Sequence, residues 1–277
     1  MIKRAVISTL KYLSLALGAF VTLYPLVSVL ITAFKTNEEY ASTSVMHLPS
    51  NWLNIQNFSQ VWTKGGMLLA FKNSGIILVV VLAGSIMLSS MTAYVLSRFK
   101  FMGNALIKNL FLFATLIPGV AMQVTVYQIM YSFGLVNTLP GYIILLLGTD
   151  VISVYIFIQF FETLPESLDE SAVLDGCTYF GVFFKILFPL LGPAAVTCMI
   201  LKGVATYNEY YMANLYLQDK NRLQVVSTSL YTFTGPMGNQ YNLICAGVII
   251  TILPALVVFI LCQKRIYAGL AAGAVKG

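Results

Sequence analysis

The run FKNSGIILVVVLAGSIMLSSMTAYVL, residues 71–96, contains a single charged side chain, Lys72, next to its start. A hydrocarbon core about 30 Å thick takes about 20 helical residues to cross, so this run reads as a membrane-spanning helix. Five further apolar runs lie near Tyr12–Phe34, Leu106–Met130, Gly141–Phe161, Phe183–Gly203 and Leu243–Cys262. Lipid offers no hydrogen bonds, and runs about twice the length of a barrel strand point to helices. The expectation is an all-α membrane protein with six transmembrane helices, forming one domain over residues 1–277. Composition agrees: 58% of residues are hydrophobic, 9% are charged and the mean hydropathy is +0.84. A soluble domain carries roughly a quarter charged residues.

Charge between the runs sets the orientation. Lys3, Arg4, Lys11, Arg98, Lys100, Lys108, Lys185, Lys264, Arg265 and Lys276, ten of the 16 basic residues, fall on the side that holds both termini. Lys35, Lys64, Lys72, Lys220 and Arg222 fall in the longer loops opposite, and Lys202 lies within a run. Both termini are therefore expected in the cytoplasm, with the chain crossing the cell membrane several times. The net charge of +6 reflects this topology. Its scattered cations flank the runs and do not form a nucleic-acid surface. The first run exceeds signal-peptide length and lacks a small-residue cleavage site, so it is expected to be retained. Cys177 lies in an inner loop, and Cys198, Cys245 and Cys262 lie within runs, so no structural disulfide is expected. Asn57-Phe58-Ser59 fits the glycosylation sequon, a pattern too short to carry weight.

The third run breaks at Ile117-Pro118-Gly119, which implies a kink packed on protein or lining a cavity. The tail Gly269–Gly277 is rich in small residues, and fraying is expected there.

Glu162, Glu166, Asp169, Glu170 and Asp175, five of the ten acidic residues, cluster after the fourth run. Pro165 followed by carboxylates starts a helix well, because the positive end of the dipole attracts anions. Leu168, Ala172 and Asp175 share a face, and Gly176 is a natural stop. A helix this short is marginal alone in water. It reads as a segment that docks on a basic soluble partner, the plainer alternative being a solvated acidic loop.

Glu170-Ser171-Ala172, then Gly176, Ile186 and Phe188-Pro189, resemble the E-A-A-x3-G-x9-I-x-L-P signature of bacterial ABC importer permeases. Ser171 and Phe188 depart from it mildly. The resemblance widens at Tyr24-Pro25, at Phe34–Glu39 and at Leu48-Pro49. It continues at Asn73-Ser74, Ala93-Tyr94, Arg98–Gly103, Gly134–Thr138, Tyr207–Tyr210 and Gly269–Gly277, and is greatest to the smaller, six-span partner of maltose-type sugar importers. It implies a type I importer architecture in which residues 162–182 form the coupling loop. Glu166, Asp169, Glu170, Ser171, Ala172, Asp175, Gly176 and Pro189 would then serve coupling to an ATPase subunit, with Glu170 meeting a basic residue there. The implied partners are a second, related permease in a heterodimer, a pair of ATP-binding subunits, an extracytoplasmic sugar-binding protein, membrane lipid and an oligosaccharide. ATP and Mg would sit on the partner subunits, since this sequence has no G-x-x-x-x-G-K-[ST] loop and is expected to bind no cofactor.

A sugar route wants amides, hydroxyls and aromatic faces. Asn73, Gln123, Tyr127, Asn208, Glu209 and Tyr211 are the candidate lining residues. Lys202 and Glu209 lie two helical turns apart, and Lys202 pairs either with Glu209 or with Asp150, unless these groups line the route. The resemblance implies that the loop around Gly235, Pro236, Met237, Gly238 and Asn239 contacts the binding protein; a plain connector is the alternative. Competing readings are a permease for polyamine, phosphate or amino acid, and a secondary transporter needing no ATPase. An embedded enzyme has no support, because the one histidine, His47, lacks metal-ligand spacing. No catalytic and no metal-binding residue is expected.

Overall fold

The computed structural model describes residues 2–148, 150–235 and 239–274, and the side chains of residues 7–263 within those ranges. Helix is the only regular structure among the described residues. Three helices are each long and apolar enough to cross a membrane: Ile7–Ala33, Met67–Arg98 and Tyr241–Gln263. The other three expected spans are broken. Asn104–Leu116 meets Gly119–Ser132 at 91°, Leu139–Leu147 meets Val151–Phe161 at 44°, and Tyr179–Leu190 meets Gly192–Asn208 at 76°.

The breaks follow from the residues at them. Ile117 is extended (φ −80°, ψ 120°), as the residue before a proline prefers, and Pro118 follows it out of the helix. Gly148 is extended at ψ 151°. The bend near Leu191 was not foreseen, and the sequence there explains it. Pro189 has no N–H to give, so Phe183–Leu187 closes a π turn before it, and Pro193 opens the next segment. The last helix runs on to Ala274, past the expected end at Cys262. Gly269–Ala274 is thus helical where fraying was expected, and its three alanines favour that state. Residues 275–277 of the tail lie outside the described residues.

The chain divides into two compact units, residues 1–68 with 229–258, and residues 69–228 with 259–277. In the first, a buried polar knot ties the loop after the first helix. Asn57 Nδ2 donates to Ala33 O (2.8 Å) and Lys35 O (2.7 Å), while its Oδ1 accepts from Asn242 Nδ2 (3.0 Å). The sequon asparagine therefore has no amide free for a glycan. Lys35, expected in a water-facing loop, is fully buried, and its Nζ donates to Ser44 O (2.8 Å) and Thr43 Oγ1 (3.1 Å). Asn57→Ala is expected to leave two carbonyls and the Asn242 amide short of partners, at roughly 1–3 kcal/mol for each group left unsatisfied. Detergent-solubilised protein should then melt several degrees lower; an unchanged midpoint would show the knot to be dispensable.

The second unit has two apolar clusters. One joins Ile77 and Val81, near the start of Met67–Arg98, to Met130, Tyr142, Ala213, Tyr216 and Leu217. The other joins Tyr94 and Leu96, near its end, to Phe157, Phe161, Ala172, Phe183 and Leu187. The second cluster seats the acidic helix.

Candidate functional site

The acidic segment folds as an α-helix over Ser167–Leu174, with Glu166 at its N-cap and Pro165 one residue earlier. Asp169 and Glu170 occupy the first turn, where carboxylates complement the dipole. At the other end Cys177 N–H donates to Ala172 O (2.9 Å) and Gly176 N–H to Val173 O (3.0 Å). This is a Schellman cap, and it needs a left-handed residue at Gly176, which has φ +82°. Thr178 Oγ1 then accepts from Gly181 N–H (3.2 Å) to start the next helix.

Successive residues on a helix point about 100° apart, so neighbours face different ways. Ala172 is 5% exposed and packs into the cluster with Tyr94, Phe161 and Phe183. Glu166, Glu170, Ser171, Val173, Leu174 and Asp175 are exposed, Leu174 at 88%. An apolar side chain so bare on an acidic helix suits a partner surface.

Asp169 does not share that exposed face. Its Oδ2 lies 2.6 Å from Arg98 Nε, with side chains 17% and 8% exposed. The pair is an ion contact and not a linear hydrogen bond. Arg98 Nη2 also donates to Leu164 O (2.9 Å), and the guanidinium lies 5.8 Å over the Phe161 ring. Burial pushes the Asp169 carboxyl above its ordinary range, and the Arg98 guanidinium pulls part of that back. A cleft of about 540 Å³ opens beside the pair, lined among others by Tyr94, Glu166, Glu170 and Leu174.

The residues expected along a sugar route are more dispersed. Asn73 is buried, its amide donating to Arg222 O (3.1 Å) and Gln224 O (2.9 Å). Gln123 Nε2 donates to Gly119 O (3.3 Å), one turn back on the segment that follows the break, and its Oε1 accepts from Tyr216 O–H (3.5 Å). Tyr127 packs against Tyr216 with the rings tilted at 48° (centroids 5.5 Å apart), and its hydroxyl accepts from Gln218 Nε2 (3.1 Å). Asn208 is exposed and bonds to Val204 O, and Tyr211 is 49% exposed. Glu209 Oε1 accepts from Met212 N–H (2.9 Å) and caps the helix Tyr211–Tyr216. Glu209 also lines a cavity of about 10 Å³ with Ser74, Tyr142, Thr206, Tyr207 and Ser227, room for a water and not for a sugar ring.

Lys202 finds neither expected partner. Among the described residues no ion pair joins it to Asp150 or Glu209; Asp150 accepts from Ser153 Oγ (2.9 Å) instead. Glu209 is turned to the cap. In the loop before the last helix, Gly235 and Asn239 are exposed, and Pro236, Met237 and Gly238 lie outside the described residues.

Residues 66–271 match the family model described as "Binding-protein-dependent transport system inner membrane component". The chain belongs to this family. The permease is 32% identical over 275 residues to the arabinooligosaccharides transport system permease protein AraQ of Halalkalibacterium halodurans, covering 98% of both chains. It is 31% identical to the melibiose/raffinose/stachyose import permease protein MelC of Bacillus subtilis, over 98% of this chain and 96% of that one. Its fold is similar to a chain in the crystal structure of a bacterial ABC transporter involved in the import of the acidic polysaccharide alginate. That match has a TM-score of 0.82 at 18% identity, covering 94% of the permease and 96% of the other chain. The permease is thus a multi-pass membrane protein, the permease subunit of a binding-protein-dependent importer.

Sequence reasoning missed two groups in the permease. Arg98 was read as a loop cation and as part of the resemblance at Arg98–Gly103, with no partner, although it ends an apolar run, where a buried guanidinium needs a carboxylate. Asn137 entered only within the resemblance at Gly134–Thr138. Its left-handed φ of 60° aims Oδ1 at Gln218 N–H (3.0 Å) and Asp219 N–H (2.8 Å). Asn is one of the few side chains that adopt that conformation readily, and this was the available signal.

Proposed function

We propose that residues 1–277 act as one six-span permease domain in an ATP-driven importer of oligosaccharides, with each bent helix pair forming one span. The domain forms half of the translocation path beside a second, related permease. It hydrolyses nothing itself. A pair of separate ATP-binding subunits holds ATP and Mg, and an extracytoplasmic sugar-binding protein delivers the substrate. The observation that carries the coupling part is the capped helix Ser167–Leu174. Its inner side is seated through Ala172 and Asp169, while Glu166, Glu170 and Leu174 are left bare. That division suits a helix that bears force between two proteins. The substrate class is supported by the relatives AraQ, an arabinooligosaccharides permease, and MelC, a melibiose/raffinose/stachyose permease. The cluster of Gln123, Tyr127, Tyr216 and Gln218 offers the amide and aromatic chemistry a sugar needs.

Orientation rests on the distribution of basic residues and places both termini in the cytoplasm. A reporter fused after Gly277 should be active only there, and a periplasmic signal would overturn the map. The function is tested by purifying the chain with its associated proteins and measuring ATP hydrolysis. Oligosaccharides presented with the binding protein should stimulate it several-fold. Stimulation by an amino acid, a polyamine or phosphate and not by any sugar would refute the substrate class. Transport by this chain alone would refute the importer reading.

A further inference from the structure

The acidic helix is joined to the chain by two weak hinges. Upstream lies the turn through Leu164 and Pro165, and downstream the left-handed Gly176. Eight residues do not hold a helix in water by themselves, and they do not fix its direction. Ala172, seated in the apolar cluster, holds one side of it, and a single charged side chain fixes its first turn. Arg98, the last residue of the helix Met67–Arg98, reaches three points around the acidic helix: Asp169 in its first turn, Leu164 O before its start, and the Phe161 ring at the end of the fourth run. The Arg98 side chain is 8% exposed and that of Asp169 17%, so the field between the charges is less screened than at an open surface.

We propose that Arg98 and Asp169 are positioning residues. They lock the acidic helix to the end of Met67–Arg98, so a push on the acidic helix moves the second span together with the fifth, and the lock stays closed throughout the transport cycle. This rests on the coupling reading above. It departs from the expectation for Asp169, which the family resemblance places among the groups that meet the ATPase subunit. Asp169 is spent within the chain, and Glu166 and Glu170 remain for the partner. It also adds a route for motion, because the chain itself connects the helix only to the fourth and fifth spans, before Pro165 and after Gly176.

The test uses the assembled transporter. Arg98→Met and Asp169→Asn should each leave the ATPase subunits bound in normal amount. Uptake should nevertheless fall by about tenfold, with more ATP spent per sugar moved. The exchanged pair, Arg98→Asp with Asp169→Arg, should recover much of the lost uptake, which a merely destabilised fold would not do. A second variant does not depend on ionic geometry. Arg98→Cys with Asp169→Cys, in a background with Cys177, Cys198, Cys245 and Cys262 changed to Ser, is bridged by a short bismaleimide. Uptake should be higher bridged than unbridged. Normal uptake in both single variants would overturn the proposal, as would a bridge that stops transport in an otherwise active protein. Glu170→Lys separates the two levels. If it leaves uptake unchanged, the coupling reading itself fails; if it abolishes uptake while Arg98→Met does nothing, only the lock fails.

Discussion

Glu170→Lys is expected to abolish sugar uptake and to release the ATPase subunits during purification, while the permease still inserts and folds. The side chain is exposed and makes no hydrogen bond or ion pair among the described residues, so its loss removes nothing that holds the chain together. Its carboxylate does stand in the first turn of a helix whose other carboxylate, Asp169, is already engaged. On the proposed coupling role, Glu170 is the charge that meets a basic group on a partner. Breaking a close charged contact across an interface costs about 2–5 kcal/mol, and reversal adds repulsion. Docking would weaken about thirtyfold at the least, enough to lose a subunit through successive washes. Membrane extraction should show normal permease levels with the ATPase missing. If the ATPase stays bound and uptake persists, the exposed face of this helix does not carry coupling.

The two carboxylates also show how far sequence reading reached. Five acids within one short stretch, with a proline before and a glycine after, marked the helix and its end within a residue or two. Apolar length marked six runs, and Ile117-Pro118-Gly119 marked one of the breaks. The sequence did not say which acid turns inward. That is settled by Arg98, 71 positions earlier in the chain (169 minus 98), and a local pattern cannot see a pairing that tertiary folding creates. The same limit applies to Lys202, where a helical spacing of seven suggested Glu209. That carboxylate instead caps the turn after its own helix, because Glu209 lies at φ −68°, ψ 99°, outside helical geometry. Lys35 is the converse case. A cation was counted as loop charge, yet two neutral acceptors bury it completely. In the expected sugar route, Asn73 is spent on loop carbonyls. Gln123 and Tyr127 instead join Tyr216 and Gln218, side chains about 90 residues away that no periodicity connects to them.

Gly176→Val is expected to abolish uptake, and Gly176→Asn to preserve most of it. Bulk is not the reason, because a Cβ built at Gly176 meets nothing within 4 Å. The obstacle is the backbone. At φ +82° an L-residue pays about 1–2 kcal/mol, and a β-branched one pays more because its Cβ substituents crowd the following carbonyl. The cap has only one other state to fall back on, an unwound last turn. That would release Cys177 N–H from Ala172 O and draw Ala172 out of its seat against Tyr94 and Phe183. One to two kcal/mol is a factor of about 5–30 in the population of the capped form, a large share for an eight-residue helix. Asn visits the left-handed region readily, so it keeps the cap at a small cost. Uptake should fall in the order Gly, Asn, Ala, Val, with Val lowest even though its side chain has open space. Equal activity for Asn and Val would mean that the left-handed cap is not what holds the helix Ser167–Leu174 in place. Low activity for both, with the permease normally inserted, would mean that the position needs glycine for close approach to a partner.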